Sequence, residues 1–187
     1  MASSKDSFIE APIKTLSSNK VYGNPWISVF EDKIEHPSGA AGIYGYIESN
    51  DSVMVVATNA NNEIYLVKAF RYPTKTWGWE LPGGSTDGED PIEASKRELL
   101  EETGLTSDTW RHLGKPLVCN GLMTERMHIL HASSTTRGEA TEHEEVFADK
   151  QFFSFAGIQK MVASGEIDDG QTMTGLFLYE QIVGSKK

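Results

Sequence analysis

Between Gly83 and Leu105 the chain reads GGSTDGEDPIEASKRELLEETGL, and no other part of its 187 residues leaves so few ways to fold. Seven residues of the stretch are acidic (Asp87, Glu89, Asp90, Glu93, Glu98, Glu101 and Glu102), and only Lys96 and Arg97 oppose them. The order predicts a helix. Asp90 can accept from the first unpaired amides, Pro91 suits the first helical position, and Glu93 completes an Asp-x-x-Glu capping box. Gly104 stands where a left-handed C-terminal cap is wanted, with Leu105 as its apolar partner. The helix between them would be about 20 Å long at 1.5 Å per residue. Glu98, Glu101 and Glu102 fall at spacings that share one side of it, whereas Ile92 and Leu99 mark a side that faces a core.

Carboxylates gathered on one face repel one another. In water an i,i+4 like-charge pair costs a few tenths of a kcal/mol. Partly desolvated, at about 5 Å and an effective dielectric near 20, the same pair costs roughly 3 kcal/mol. A hard divalent cation removes that cost, and oxygen-only ligands select magnesium, calcium or manganese. A solvated acidic face is the alternative that the helix taken alone leaves open.

The length suits one globular domain with an N-terminal extension, residues 1–48 ahead of a main domain at 49–187. A net charge of −10 supplies no basic surplus to displace counterions, which argues against nucleic acid or an anionic membrane as partner. It leaves room for a nucleotide substrate, because bound cations reverse the local sign. No apolar run approaches the ~20 residues of a membrane span and no signal-peptide pattern opens the chain. With one cysteine, Cys119, an intramolecular disulfide is excluded. A reducing, cytoplasmic setting and a buried, inert thiol are expected.

Strand-like runs precede the helix. Residues 1–20 are polar and end in a strand or arm. Trp26–Ile34 alternates, Ala41–Glu48 follows a Pro37-Ser38-Gly39 turn, and Ser52–Thr58 is a continuous apolar run, as in a strand buried on both faces. The Asn59–Asn62 turn before Glu63–Phe70 suggests a hairpin. After Leu105, strands are expected within Trp110–Cys119, Glu125–Ser133 and Val146–Phe155. Thr135–Glu145 reads as a loop dense in glutamate. A helix from Phe155 stops at Gly165, and a last one spans Gln171–Val183 with Met173, Leu176, Phe177 and Val183 as its apolar positions. The order indicates an α+β fold with a mixed sheet between helices.

Gly83, five residues, Glu89, seven residues, then Arg97-Glu98-Leu99-Leu100-Glu101-Glu102-Thr103-Gly104-Leu105 resembles the Nudix box at every fixed position. One oddity is the Gly83-Gly84 doublet. The resemblance implies an α/β/α sandwich with a mixed central sheet, plus a small N-terminal antiparallel sheet. It also implies a Mg²⁺-dependent pyrophosphohydrolase (Mn²⁺ also serving) that acts on a nucleoside diphosphate linked to another group. Glu98 and Glu102 would be the main metal ligands and Glu101 a further or water-bridged one. The backbone carbonyl of Pro82 would complete part of the site. Glu89 would be an outer acid, and Arg97 would orient the carboxylates. A glutamate of the loop after the box would position or deprotonate the attacking water, with Glu144 favoured over Glu142.

Outside the box the chain looks like the ADP-ribose and nucleoside diphosphate sugar branch. Ala69-Phe70-Arg71-Tyr72-Pro73 before Trp79-Glu80-Leu81-Pro82-Gly83 would place Arg71 on a substrate phosphate. The N-terminal strands would exchange across a homodimer. Trp26 and Tyr46, with Tyr44 and Trp77, could stack on a base or serve as core or dimer residues. Asn120-Gly121-Leu122-Met123 lacks the proline common in ADP-ribose enzymes, so a GDP- or UDP-hexose stands beside ADP-ribose. Dinucleoside polyphosphates or nucleoside triphosphates, and a non-catalytic nucleotide-sugar sensor, are the other readings.

Overall fold

The computed structural model describes residues 11–138 and 146–184. The chain divides into two compact units, Met1–Ser49 with Cys119–Thr124, and Asn50–Val118 with Glu125–Lys187.

In the first unit, β1 (Lys14–Gly23), β2 (Ile27–Glu35) and β3 (Ala41–Ser49) form an antiparallel sheet in that order. Asn24 shapes the first turn, its side-chain oxygen accepting the Trp26 and Ile27 amides at 2.9 Å. Gly39, at φ 81°, makes the second, as the Pro-Ser-Gly triplet predicts. The segment 119–124 docks beside β3: the Ile47 amide donates to Leu122 and the Thr124 amide to Ile47. Cys119 in that segment is exposed, which corrects the expectation of a buried thiol. It lies in a turn, where its carbonyl accepts the Leu122 and Met123 amides, and turns run along the surface.

The second unit is built on β4 (Ser52–Ala57), paired parallel to β10 (Met127–Ser133) and antiparallel to β7 (Gly83–Ser85); β9 (Thr109–Gly114) completes the mixed sheet as β7-β4-β10-β9. A second sheet is ordered β12-β5-β6, from Phe147–Phe153, Ile64–Arg71 and Thr76–Glu80. A short pair joins β8 (Leu105–Thr106) to β11 (Thr136–Arg137). Helix α1 spans Pro91–Thr103, α2 Phe155–Ser164 and α3 Gly170–Ile182.

The apolar run of β4 now has its reason. Val53, Val55 and Ala57 pack with Ala94 and Leu99 of α1, whereas Met54 and Val56 join Ile158 and Met161 of α2 and Leu176 and Tyr179 of α3. Both faces are covered, so alternation disappears. This is the α/β/α sandwich.

The β4–β5 hairpin is not formed. Asn59 does make the turn, but only Thr58 and Ile64 bridge the two strands, which enter different sheets. Both edges of β4 are taken by β10 and β7, leaving none for β5.

Helix α1 has the predicted caps. Asp90 accepts from the Ile92 and Glu93 amides, and Gly104 adopts φ 68°. The capping box is not completed, because the Glu93 side chain pairs with Lys96 at 2.8 Å. Ile92 is 39% exposed, not core-facing: it shares the stripe of Leu99 but lies in the exposed first turn. In α3 the inward positions are Thr172, Gly175, Leu176 and Tyr179, while Met173 and Phe177 are exposed.

Candidate active site

The site is assembled where α1 crosses β7. A Cβ on Gly83 would overlap the Val53 carbonyl, and one on Gly84 would sit 2.6 Å from the Glu98 carboxylate. The glycine doublet therefore lets a strand pair with β4 on one side and receive the α1 carboxylates on the other. The Gly83 amide donates to Glu102 Oε2 at 2.9 Å. Glu98 and Glu102 are buried, at 7% and 2% exposure, and Glu101 is half-buried.

Arg97 ties the acids together. Its Nε donates to Glu89 at 3.1 Å, Nη1 to Glu98 at 2.7 Å and to Glu101 at 3.3 Å, and Nη2 to the Ser85 carbonyl at 3.1 Å. Burial disfavours its charge, but Glu98 and Glu89 outweigh burial and hold its pKa above the ordinary value. The box arginine thus fixes the rotamers of the acids around it.

The Pro82 carbonyl accepts the Val55 amide at 2.8 Å, which engages one of its two lone pairs. Arg71 meets Glu80 side-on, with Nε 3.0 Å from both carboxylate oxygens and Nη2 2.5 Å from Oε2. Glu80 is 5% exposed, and Arg71 is half-exposed. In the alternation of β5, Val67 packs in the α1-side core, so Arg71, four residues on, leaves the strand on the same side as the box helix. Trp26 and Tyr46 belong to the first unit. Trp26 is 72% exposed, and Tyr46 stacks on Phe30 with centroids 5.4 Å apart. Glu142 and Glu144 lie outside the described residues.

Among the described residues, no three His, Cys, Asp or Glu side chains converge into a ready-made metal cage. The residues present nonetheless fit a divalent cation. Two buried carboxylates meet the glycine doublet, Glu102 at Gly83 and Glu98 at Gly84, the donors are all oxygen, and burying adjacent negative charge is costly without a cation.

Two contacts around the box carry no local sequence signal. Lys150 of β12 donates to the Glu102 carbonyl, placing a cation at the C-terminal end of α1. Asp51 ties the box loop to the sheet, its carbonyl accepting both the amide and hydroxyl of Thr86 at 2.9 Å. Both contacts join residues more than thirty apart in sequence.

A family model described as the NUDIX domain matches residues 48–173. The chain belongs to the Nudix family. It is a Nudix pyrophosphohydrolase, an enzyme of phosphorus-containing acid anhydrides. A model described as the nucleoside diphosphate sugar hydrolase N-terminal domain matches residues 13–47. The chain is 28% identical to the ADP-ribose pyrophosphatase of Mycobacterium tuberculosis, over 89% of this chain and 83% of that one. It is 29% identical to a GDP-mannose pyrophosphatase of Yersinia enterocolitica, over 76% and 78%. A solved structure described as an ADP compounds hydrolase superposes with a TM-score of 0.84 at 19% identity, covering 94% of this chain and 96% of that one, and so shares the fold. Among the described residues, no helix is long and apolar enough to cross a membrane.

Proposed function

We propose that this Nudix hydrolase cleaves the pyrophosphate bond of a nucleoside diphosphate sugar, ADP-ribose first among them, giving a nucleoside monophosphate and a sugar phosphate. The observation that carries the reading is the pair Glu98 and Glu102, one turn apart and both buried, Glu102 taking the Gly83 amide and Glu98 lying against Gly84 and braced by Arg97. The relatives named ADP-ribose and GDP-mannose pyrophosphatase support the substrate class.

Glu98 and Glu102 would hold Mg²⁺ or Mn²⁺, with Glu101 and the Pro82 carbonyl contributing and Glu89 outside them. When bound, the ion supplies charge neutralisation of the pyrophosphate and a bound water of lowered pKa. Arg97 keeps the carboxylates in place. Arg71, oriented by Glu80, binds a substrate phosphate. Glu144, or else Glu142, takes the proton of the attacking water.

The proposal extends to a homodimer. Leu16, Val21, Tyr22, Trp26, Ile43 and Tyr44 leave the first unit's sheet with large exposed apolar side chains. Trp26 and Tyr46 serve there as dimer or base-stacking residues. A reducing cytoplasmic setting accords with the single cysteine.

The test is turnover of a substrate panel with Mg²⁺ and with Mn²⁺, the products resolved by chromatography. ADP-ribose or a GDP- or UDP-hexose should yield a nucleoside monophosphate and a sugar phosphate at the highest kcat/KM. A higher kcat/KM on dinucleoside polyphosphates or nucleoside triphosphates would overturn the substrate class. Tight nucleotide-sugar binding without turnover would indicate a sensor.

A further inference from the structure

Asp51 lies outside the box and is bonded on several sides. Its carboxylate accepts from Lys115 Nζ at 2.8 Å and from the Arg126 amide at 3.1 Å, and His128 Nε2 lies 3.4 Å away. Lys115 follows β9 and His128 belongs to β10, so the side chain ties the start of β4 to its neighbour β10 and to the end of β9 beyond it. Burial opposes its charge, but Lys115 and the Arg126 amide, with His128, hold the carboxyl below the usual range. Asp51 therefore stays ionised.

From there a chain of hydrogen bonds runs into the box. The Asp51 carbonyl accepts both Thr86 donors. Thr86 is 5% exposed; its own carbonyl accepts the Glu89 amide at 2.8 Å, and its hydroxyl accepts the Gly88 amide at 3.4 Å. Glu89 then pairs with Arg97, which holds Glu98 and Glu101.

A tight turn lies at the middle of this chain. Asp87 adopts φ 50° and Gly88 φ 83°, two consecutive left-handed residues, one of which carries a Cβ. With the Glu89 amide closing it on the Thr86 carbonyl, this is a type I′ turn, for which an Asp-Gly pair is favoured. Beside it an open cleft of about 430 Å³ borders Asp51, Thr86, Gly88, Glu89, Lys115 and His128. The turn closes on its own hydrogen bonds, and the two bonds from Thr86 to the Asp51 backbone carbonyl fix where it sits against the start of β4.

We propose that Asp51 is a positioning residue for the metal-binding carboxylates, acting through Thr86, Glu89 and Arg97. This rests on the metal role given above to Glu98 and Glu102.

The test is Mn²⁺ binding without substrate, followed by electron paramagnetic resonance, in Asp51→Ala, Asp51→Asn and Thr86→Val, each with its melting temperature. Asp51→Ala should weaken Mn²⁺ binding about tenfold, the loss expected when an outer partner of a ligand is removed, and raise the Mg²⁺ concentration for half-maximal turnover in step. Thr86→Val should act in the same direction by less. A folded Asp51→Ala protein with wild-type Mn²⁺ affinity and only a lower melting temperature would make Asp51 merely structural and overturn the proposal. If that variant does not fold, unchanged affinity in both Asp51→Asn and Thr86→Val overturns it equally. Wild-type protein that binds no Mn²⁺ would instead sink the metal role itself, and this proposal with it.

Discussion

If Glu102 is the metal ligand proposed above, one side chain serves activity at the expense of stability. It is almost fully buried, one turn from buried Glu98, and its carboxylate takes the Gly83 amide. Glu102→Gln keeps an oxygen for that amide and removes one of two neighbouring negative charges. We expect kcat to fall by orders of magnitude, while the melting temperature, measured with chelator, stays equal or rises. Unchanged activity would remove Glu102 from the site. His131 is a residue whose weight lies in folding. It is 9% exposed, its Nε2 sits 2.9 Å from Thr58 Oγ1, and its ring meets Tyr179 edge-on. Burial, with Arg111 adding to it, pulls its pKa from 6.5 down to about 4. Between those values the unfolded chain binds a proton that the folded chain does not, so stability rises with pH through this window and is complete above 6.5. The effect is at most about 3 kcal/mol, at 1.36 kcal/mol per unit. Denaturant titrations from pH 4 to 7 should show this acid-side slope, and His131→Gln should flatten it. An unaltered slope would assign the acid sensitivity to other groups.

Among the elements, α1 is the one whose local sequence and tertiary role coincide. Asp90 caps it, Pro91 opens it and Gly104 closes it, so its ends are set by contacts within four residues. Asp90→Ala should cost about 1 kcal/mol. For a chain of this size that lowers the melting temperature by roughly 2–4 °C. Because the cap lies three turns from Glu102, kcat at 25 °C should hold; a large loss of kcat would mean that the cap also sets the register of the carboxylates. The strands are a different case. The apolar run of β4 announces burial on both faces, yet it cannot name its neighbours. Those are β7, some thirty residues on, and β10, more than seventy on. The adjacent β5, which the Asn59–Asn62 turn seemed to deliver, joins another sheet.

For the whole molecule, the homodimer is the question with the clearest measurement. The three-stranded sheet of the first unit displays Leu16, Val21, Trp26 and Ile43 at 51%, 61%, 72% and 68% exposure. Sedimentation should give a dimer, and Val21→Glu with Ile43→Glu should shift it to monomer; a wild-type monomer would remove the proposal. The box, the caps of α1, its carboxylate spacing and the α+β class were all legible in the residues themselves. Each depends on chain-local geometry: a cap reaches two or three residues, a helical face repeats within four, and Arg97 reaches Glu98 and Glu101 on its own helix and Glu89 just ahead of it. The fold decided the rest. It set the approach of Glu98 to Gly84, the pairing of Arg71 with Glu80, the exposure of Cys119, the Lys150 contact at the end of α1 and the bracing of Thr86 by Asp51. Most of these join residues on different elements, up to dozens of positions apart. No local propensity encodes such a pairing, because which surfaces meet is settled only when the sheets and helices bury their apolar faces together.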